Sequence, residues 1–324
     1  MINILDEYQV IGIVGLAKNT GKTTTLNWLI KKNQHRTIGL TSIGLDGEKM
    51  DQIHFLPKPR IMVHPEMIVA TAQSCLDEAM IDYDVIQKTN LFTSIGEILV
   101  VRMKGEGYLV IAGPTTNQEL SKVLKLMKNY ANNILVDGAF NRMTFSNLDE
   151  IDGIILATGA AFSNVMEETV EHTKRVVDLF QLKKANVTTD PQAKMVFMTS
   201  KGVINLLDKK IASIENVLND KENTFNQIII KGAVSEPLIN CMIQSRRRNY
   251  QLIGEDPSRF LFQSKSYKYL EHLHVELLVQ KTVKLICITM NPYRPTHQSY
   301  DPLNFMNALK QKVNVEVIDV MREE

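Results

Sequence analysis

Cysteine is scarce in this chain of 324 residues. Cys75, Cys241 and Cys287 stand far apart and form no Cys-x-x-Cys pair, which excludes a disulfide framework and a zinc knuckle. Cys241 and Cys287 lie in apolar runs and read as small buried residues. No excess of either charge is present: 37 Lys and Arg against 36 Asp and Glu leave a formal net charge of +1, so the electrostatic footprint of a nucleic-acid binder is missing. The longest basic run, Arg246-Arg247-Arg248, lies beside a predicted helix end and reads as a solvated face. No apolar stretch reaches the roughly 18–20 residues of a membrane span, and the opening MINILDEYQV carries acidic residues where a signal peptide needs cations. The expectation is a cytoplasmic protein with no membrane and no nucleic-acid partner. The histidines at 35, 54, 64, 172, 272, 274 and 297 form no metal-spaced cluster; His272 and His274 would share one side of a strand but have no third ligand. Neither Gly-x-Ser-x-Gly nor a paired Cys/His signature points to a covalent nucleophile.

The sequence is rich in short, β-branched apolar runs, among them Val10–Val14, Thr37–Ile43, Ile98–Met103, Tyr108–Ala112, Ile134–Val136, Ile154–Ala157, Met195–Thr199, Gln227–Ile230 and Leu285–Thr289. Most are continuous rather than alternating, the pattern of strands buried on both faces. Amphipathic segments lie between them, notably Thr23–Lys32, Gln118–Tyr130, Val165–Phe180, Gly202–Asn219, Pro237–Arg247 and Pro302–Lys312. Together they predict an α/β fold with a mainly parallel open sheet and helices on both faces. The short Lys104-Gly105-Glu106-Gly107 link between two apolar runs predicts an antiparallel hairpin at the sheet edge. The polar stretch "LKKANVTTDPQ", Leu182–Gln192, is the best boundary. It separates a nucleotide-binding domain over 1–181 from a further α/β part over 193–324, either a continuation of the sheet or a second domain.

The stretch "GIVGLAKNTGKTTTLNWLI", Gly12–Ile30, concentrates glycine and lysine at one turn between strand and helix. Such a turn points main-chain N–H groups at an anion, and the helix N-terminus adds favourable dipole charge. Gly21-Lys22-Thr23 supplies the core of a P-loop, with Lys22 for the outer phosphates and the Thr23 hydroxyl for Mg²⁺. Thr24 adds a second hydroxyl. Five residues separate Gly15 from Gly21 where the strict motif has four, so Gly15, Lys18, Asn19 and Thr20 form an elongated loop.

A P-loop ATPase needs a carboxylate at the end of a neighbouring strand to hold Mg²⁺. Ile134-Leu135-Val136-Asp137-Gly138 offers Asp137, a position that also suits a plain turn. In Thr41-Ser42-Ile43-Gly44-Leu45-Asp46-Gly47-Glu48, Asp46 is the candidate to hold metal or orient water, with Glu48 in reserve, Asp51 weaker, and an Asp-Gly turn as the alternative. Asn291, between an apolar strand and Pro292, can pair with an adenine edge as amides do; an Asn-Pro turn accounts for it equally. The small residues of Ala157-Thr158-Gly159-Ala160-Ala161 permit either close approach of a ligand or close packing of strand on helix.

The five-residue loop resembles that of dethiobiotin synthetase and the cobyrinic acid amide-forming synthetases, in the P-loop branch that includes the MinD-like ATPases. Lys18 corresponds to the second lysine of MinD-like members, one residue short of their offset from Lys22. In that branch an acidic residue after the second strand serves the metal or the water, which singles out Asp46, and Asn291 matches a base-binding Asn of dethiobiotin synthetase-like proteins. GLAKNTGKTT, TSIGLDGE, LVDGAFNR, ATGAAFSN and TMNPYRP followed by SYDPLNF, in order along most of the chain, resemble the P-loop family associated with lysine 5,6-aminomutase reactivase. The resemblance implies an ATP- and Mg²⁺-dependent ATPase that reactivates an adenosylcobalamin-dependent aminomutase together with a MutS-like ATPase subunit. The Asp-x-His-x-x-Gly type of cobalamin-ligating motif is not in the sequence. Two other readings stand beside this one: an ATP-dependent small-molecule ligase of the dethiobiotin synthetase kind, and a nucleotide-regulated interaction module without hydrolysis.

Overall fold

The structure, a computed structural model, describes residues 4–44, 61–139, 150–222, 224–294 and 299–322. These divide into two compact units: one comprises the described residues up to Lys174 and those from Lys284 onward, the other Arg175–Val283. The sequence boundary at 182–192 gives the whole remainder to a second part, whereas here the chain returns to the first unit for its last strands.

In the first unit the order is α1 (Ile4–Glu7), β1 (Val10–Gly15), α2 (Lys22–Lys32), β2 (Ile38–Ser42), β3 (Ile61–Val63), β4 (Ile68–Ala72), α3 (Gln73–Ala79) and β5 (Tyr83–Thr93). There follow β6 (Gly96–Met103), β7 (Gly107–Leu109), α4 (Asn117–Met127), β8 (Asn133–Ala139), β9 (Gly153–Gly159) and α5 (Met166–Phe180), the residues of α5 from Arg175 on belonging to the second unit. The second unit contributes β10 (Met195–Thr199), β11 (Gly202–Leu206), α6 (Ile211–Asn219), β12 (Phe225–Ile230), β13 (Val234–Ser235) and α7 (Glu236–Gln244). It continues with β14 (Gln251–Gly254), β15 (Phe260–Leu261), α8 (Ser264–His272) and β16 (Glu276–Val279). Back in the first unit are β17 (Leu285–Asn291), α9 (Pro302–Lys312) and β18 (Val317–Ile318).

The first unit is built on a nine-stranded sheet in the order β18-β17-β9-β1-β8-β2-β4-β6-β5. It is parallel from β18 to β4, and only β6 and β5 are antiparallel to their neighbours. β1, with the sequence VIGIVG, is buried along its whole length, which its uninterrupted apolar run requires of a central parallel strand. α2 buries Thr25, Leu26, Leu29 and Ile30, a stripe at helical spacing that joins Ile11, Ile13, Leu135 and Ile155 in one core. α9 begins at Pro302, pre-set for a first helical turn, and the Asp301 side chain accepts from the Asn304 N–H.

An antiparallel pair does close the sheet edge, but its strands are not those expected. β6 pairs with β5 and β4, while β7 leaves the sheet and pairs with β3. The Lys104–Gly107 link therefore turns the chain away instead of folding β7 back on β6. β5, YDVIQKTNLFT, is interrupted by the polar block Gln87–Asn90 and has no buried residue, so it lacks the continuous apolar run that marks the other strands.

The second unit has a five-stranded sheet, β11-β10-β12-β14-β16. β12, β14 and β16 are parallel and β10 is antiparallel to both its neighbours. The helix expected over Gly202–Asn219 is in fact strand β11, then a break, then α6. Gly202 at φ +130 turns β10 into β11, and the Asp208 carboxylate accepts from the Lys210 N–H just ahead of α6. His272 ends α8 and His274 has φ +54, so these two do not lie on a strand. Among the described residues no helix is long and apolar enough to cross a membrane.

Candidate functional site

Six residues, Leu16–Gly21, connect β1 to α2. Two of them take the left-handed backbone region: Asn19 at φ +62 and Gly21 at φ +99. Asn is the residue that tolerates this region best after Gly. The loop is pinned at both ends. Leu16 N–H donates to the Ala157 carbonyl of β9 at 3.1 Å, and the buried Thr20 hydroxyl donates to the Ala17 carbonyl at 2.9 Å. A Cβ on Gly15 would come within 2.7 Å of Thr20 Oγ1 and 2.9 Å of Lys22 Cγ. Gly15 is thus required because the loop and the Lys22 stem fold back over the strand end.

Lys22 is the first residue of α2, and Gly21 ahead of it supplies no side-chain cap. The opening N–H groups of the helix, from Lys22, Thr23 and Thr24, stand at the positive end of its dipole. All three residues are half-buried, and Lys18 is exposed. Asp137 comes from β8, in register with Ile13 of β1 on one side and Ser42 of β2 on the other. Its carboxylate Oδ1 lies 3.9 Å from Lys22 Nζ, both side chains about a quarter exposed (25% and 23%). Two residues 115 apart in number thus meet at the carboxyl edge of the parallel strands, where open α/β sheets bind ligands. Asp46, Glu48 and Asp51 lie outside the described residues.

Comparison of the chain with protein-family models, curated proteins and solved structures finds no match. The chemistry of the site must therefore be read from its own groups.

Those groups suit a magnesium-bound nucleoside triphosphate. An ammonium, unbonded first-turn amides and a glycine with positive φ fit phosphate oxygens; a hydroxyl at Thr23 and the Asp137 carboxylate are hard oxygen donors of the kind Mg²⁺ takes beside phosphate and water. Among the described residues no cluster of three or more His, Cys, Asp or Glu could hold a metal unaided, whereas a metal shared with phosphate needs no such cluster.

Asn291 ends β17, two strands from β1, yet it reaches the loop. Its Nδ2 points at the Asn19 carbonyl at 3.5 Å, its Oδ1 accepts from the Tyr293 N–H at 3.1 Å, and its Cβ would sit 2.9 Å from a Cβ on Gly21. Gly159 makes this approach possible: a Cβ there would lie 2.4 Å from the Asn291 carbonyl oxygen, which accepts from the Ala160 N–H at 2.9 Å. Gly159, the last residue of β9, thus serves close packing of strand against strand. In this geometry the Asn291 amide supports the loop from the side.

Sequence reasoning passed over Ala112-Gly113-Pro114. The Gly113 N–H donates to Ser42 Oγ at 2.9 Å and the Gly44 N–H to the Pro114 carbonyl at 2.7 Å, so this turn fixes the end of β2 beside Asp137. A Cβ on Gly113 would fall 1.9 Å from the Ser42 carbonyl oxygen, and the Gly-Pro pair ahead of a capping signal, Thr116 with Glu119, marks it in the sequence.

Proposed function

We propose that the chain is a P-loop ATPase that binds Mg-ATP in the β1–α2 loop and acts as the nucleotide-driven subunit of a reactivase for an adenosylcobalamin-dependent aminomutase. The observation that carries the nucleotide part is the meeting of Lys22, at the uncapped start of α2, with Asp137 at the end of the adjacent parallel strand, 3.9 Å apart. That pairing supports a phosphate loop over a plain glycine turn, because it sets an ammonium and a carboxylate together at the strand ends beside the helix start.

In this reading Lys22 and the amides from Thr20 to Thr24 neutralise charge on the phosphoryl oxygens. Thr23 and Asp137 would hold the metal, which would supply charge neutralisation for the phosphates. Asp46 would orient the attacking water, the exposed Lys18 within the loop would meet the phosphates, and Asn291, whose amide touches the loop, is the candidate for the base. Hydrolysis then drives a conformational cycle in the partner. The reactivase part rests on the ordered resemblance of the sequence segments alone.

Lys22→Ala tests the site. Loss of the ammonium lowers ATP affinity by about ten- to a hundredfold, the range for hydrogen bonds to charged groups, with the far-ultraviolet spectrum unchanged. Unaltered affinity in a folded variant would overturn the phosphate loop. Stimulation of phosphate release by a purified adenosylcobalamin-dependent aminomutase supports the reactivase; turnover coupled to a small carboxylic acid, or tight ATP binding without phosphate release, would replace it with a ligase or a regulatory module.

A further inference from the structure

A pair of buried hydroxyls stands behind the β1–α2 loop. Thr25, in α2, and Thr289, in β17, are both buried, and their Oγ1 atoms lie 2.7 Å apart although 264 positions separate them in the sequence. Thr25 Oγ1 is also 3.1 Å from the Gly21 carbonyl oxygen, which accepts from the Thr25 N–H at 2.9 Å. One arrangement uses both hydroxyl protons: Thr289 donates to Thr25, and Thr25 donates to Gly21. The Gly21 carbonyl then takes two hydrogen bonds from a single residue.

What these hydroxyls add is direction. A trans peptide sets its carbonyl and the following N–H on opposite sides, so holding the Gly21 carbonyl along the helix holds the Lys22 N–H toward the loop. Gly21 needs that restraint, because it sits at φ +99 and glycine has more backbone freedom than any other residue. The Lys22 N–H is among the opening amides that have no partner within a helix. Two valines, of nearly the same shape as threonine, would fill this space without the cost of burying polar atoms. The same face of β17 carries Asn291, two residues on, with its Nδ2 3.5 Å from the Asn19 carbonyl. Asn19 and Gly21 are the two left-handed residues of the loop. β17 therefore reaches the first directly and the second through Thr25. The strand is itself in register with β9, Thr289 opposite Ala157, and the Ala157 carbonyl accepts from the Leu16 N–H at the start of the loop.

We propose, resting on the Mg-ATP reading of the β1–α2 loop, that Thr25 and Thr289 are positioning residues of the nucleotide site: the relay from Thr289 through Thr25 to Gly21 aims the Lys22 N–H at a phosphate oxygen. Neither side chain touches the nucleotide. Their effect is on the fraction of chains whose loop is ready to bind, and apparent affinity scales with that fraction. β17 thereby becomes a control point for nucleotide affinity outside the glycine-lysine segment.

The full chain is titrated with Mg-ATP by calorimetry, and the unfolding midpoint of each variant is measured beside it. Thr25→Val cuts the relay at its centre and weakens ATP binding about three- to tenfold, the equivalent of one neutral hydrogen bond. Thr25→Ser keeps the hydroxyl and binds as the parent does. Thr289→Val acts in the same direction, and combining it with Thr25→Val adds nothing further, since one relay is broken only once. Ile155→Val, a loss of packing in the core that α2 joins, lowers the unfolding midpoint and leaves ATP affinity unchanged, which separates positioning from stability. Undiminished affinity in folded Thr25→Val overturns the relay while Lys22→Ala still weakens binding. Additive losses in the double variant do the same, as does a loss in Thr25→Ser or Ile155→Val equal to that in Thr25→Val. If Lys22→Ala binds like the parent, the nucleotide reading itself has failed and the relay falls with it. Where Thr25→Val does not fold, Thr289→Val against Thr289→Ser decides by the same criterion.

Discussion

At the scale of the residue, the β1–α2 loop depends on two glycines for different reasons. Gly15 yields space to Thr20 and the Lys22 stem, while Gly21 also holds a backbone angle of φ +99. Gly21→Ala meets the Asn291 Cβ at 2.9 Å and a left-handed backbone as well, so it lowers unfolding stability by about 1–3 kcal/mol, measured by denaturant titration. Asn291→Ala does not rescue it, since the obstructing atom is the Cβ that alanine keeps; restoration by Asn291→Ala would refute this packing. Asp137 acts differently. If the proposed Mg-ATP site is right, Asp137→Asn preserves shape and a share of ATP affinity but removes a hard anionic donor, so that hydrolysis loses its Mg²⁺ dependence; full Mg²⁺-dependent turnover in the variant would remove Asp137 from the site.

At the scale of the element, α4 shows how local chemistry fixes a helix. The Thr116 hydroxyl accepts from the Glu119 N–H at 3.2 Å while Glu119 accepts from the Thr116 N–H at 3.3 Å, a reciprocal cap worth about 1 kcal/mol. Further along, the Glu150 carboxylate accepts from the Ser121 hydroxyl at 2.8 Å and lies 3.1 Å from Lys125 Nζ. Burial would raise the Glu150 pKa, but the hydrogen bonds from Ser121 and Lys125 outweigh it and hold the carboxyl below its ordinary value. A depressed folded-state pKa means that the unfolded chain binds the proton more readily. The stabilisation is therefore complete above the unfolded value of about 4.3 and drains away as pH falls through the depressed one. Glu150→Gln flattens this acid limb of the stability curve, which denaturation midpoints across the acid range would read. Similar local signals made much of the fold legible: Met195–Thr199 and Pro302–Lys312 have the bounds their sequences suggest, the first from an apolar run, the second from Asp-Pro ahead of an amphipathic stretch. β5 escaped because four polar residues, Gln87–Asn90, break its apolar run on an exposed sheet edge, and β11 because its apolar spacing runs on into α6. The pairing of β7 with β3 joins segments some 45 residues apart in number, and no local pattern announces it. In the site, the GKT segment and Asp137 were legible as chemistry. Asn291 was read in the sequence as an adenine-pairing amide or an Asn-Pro turn, and its side support of the loop, 272 residues from Asn19, was not legible, because contacts across such a separation leave no local trace.

At the scale of the whole molecule, the chain is an α/β protein whose two compact units have cores of their own. Ile11, Ile13, Leu135 and Ile155 belong to one, and Phe197, Ile228, Ile230 and Leu252 to another. A ligand stabilises only what it binds in the native state, by RT ln(1 + [L]/Kd), about 2.7 kcal/mol at a hundredfold excess over Kd. Amides of β1 and β8 pair with each other at the proposed nucleotide site, whereas those of β12 and β14 pair within the second unit. Saturating Mg-ATP therefore slows hydrogen exchange about a hundredfold in β1 and β8 where exchange proceeds by unfolding of their unit, and leaves β12 and β14 at their original rates. In Lys22→Ala, at the same Mg-ATP concentration, the effect on β1 falls to about two- to tenfold. Equal protection of both sheets by Mg-ATP would mean that the two cores open as one cooperative body, and protection of β12 and β14 alone would move the nucleotide to the second unit.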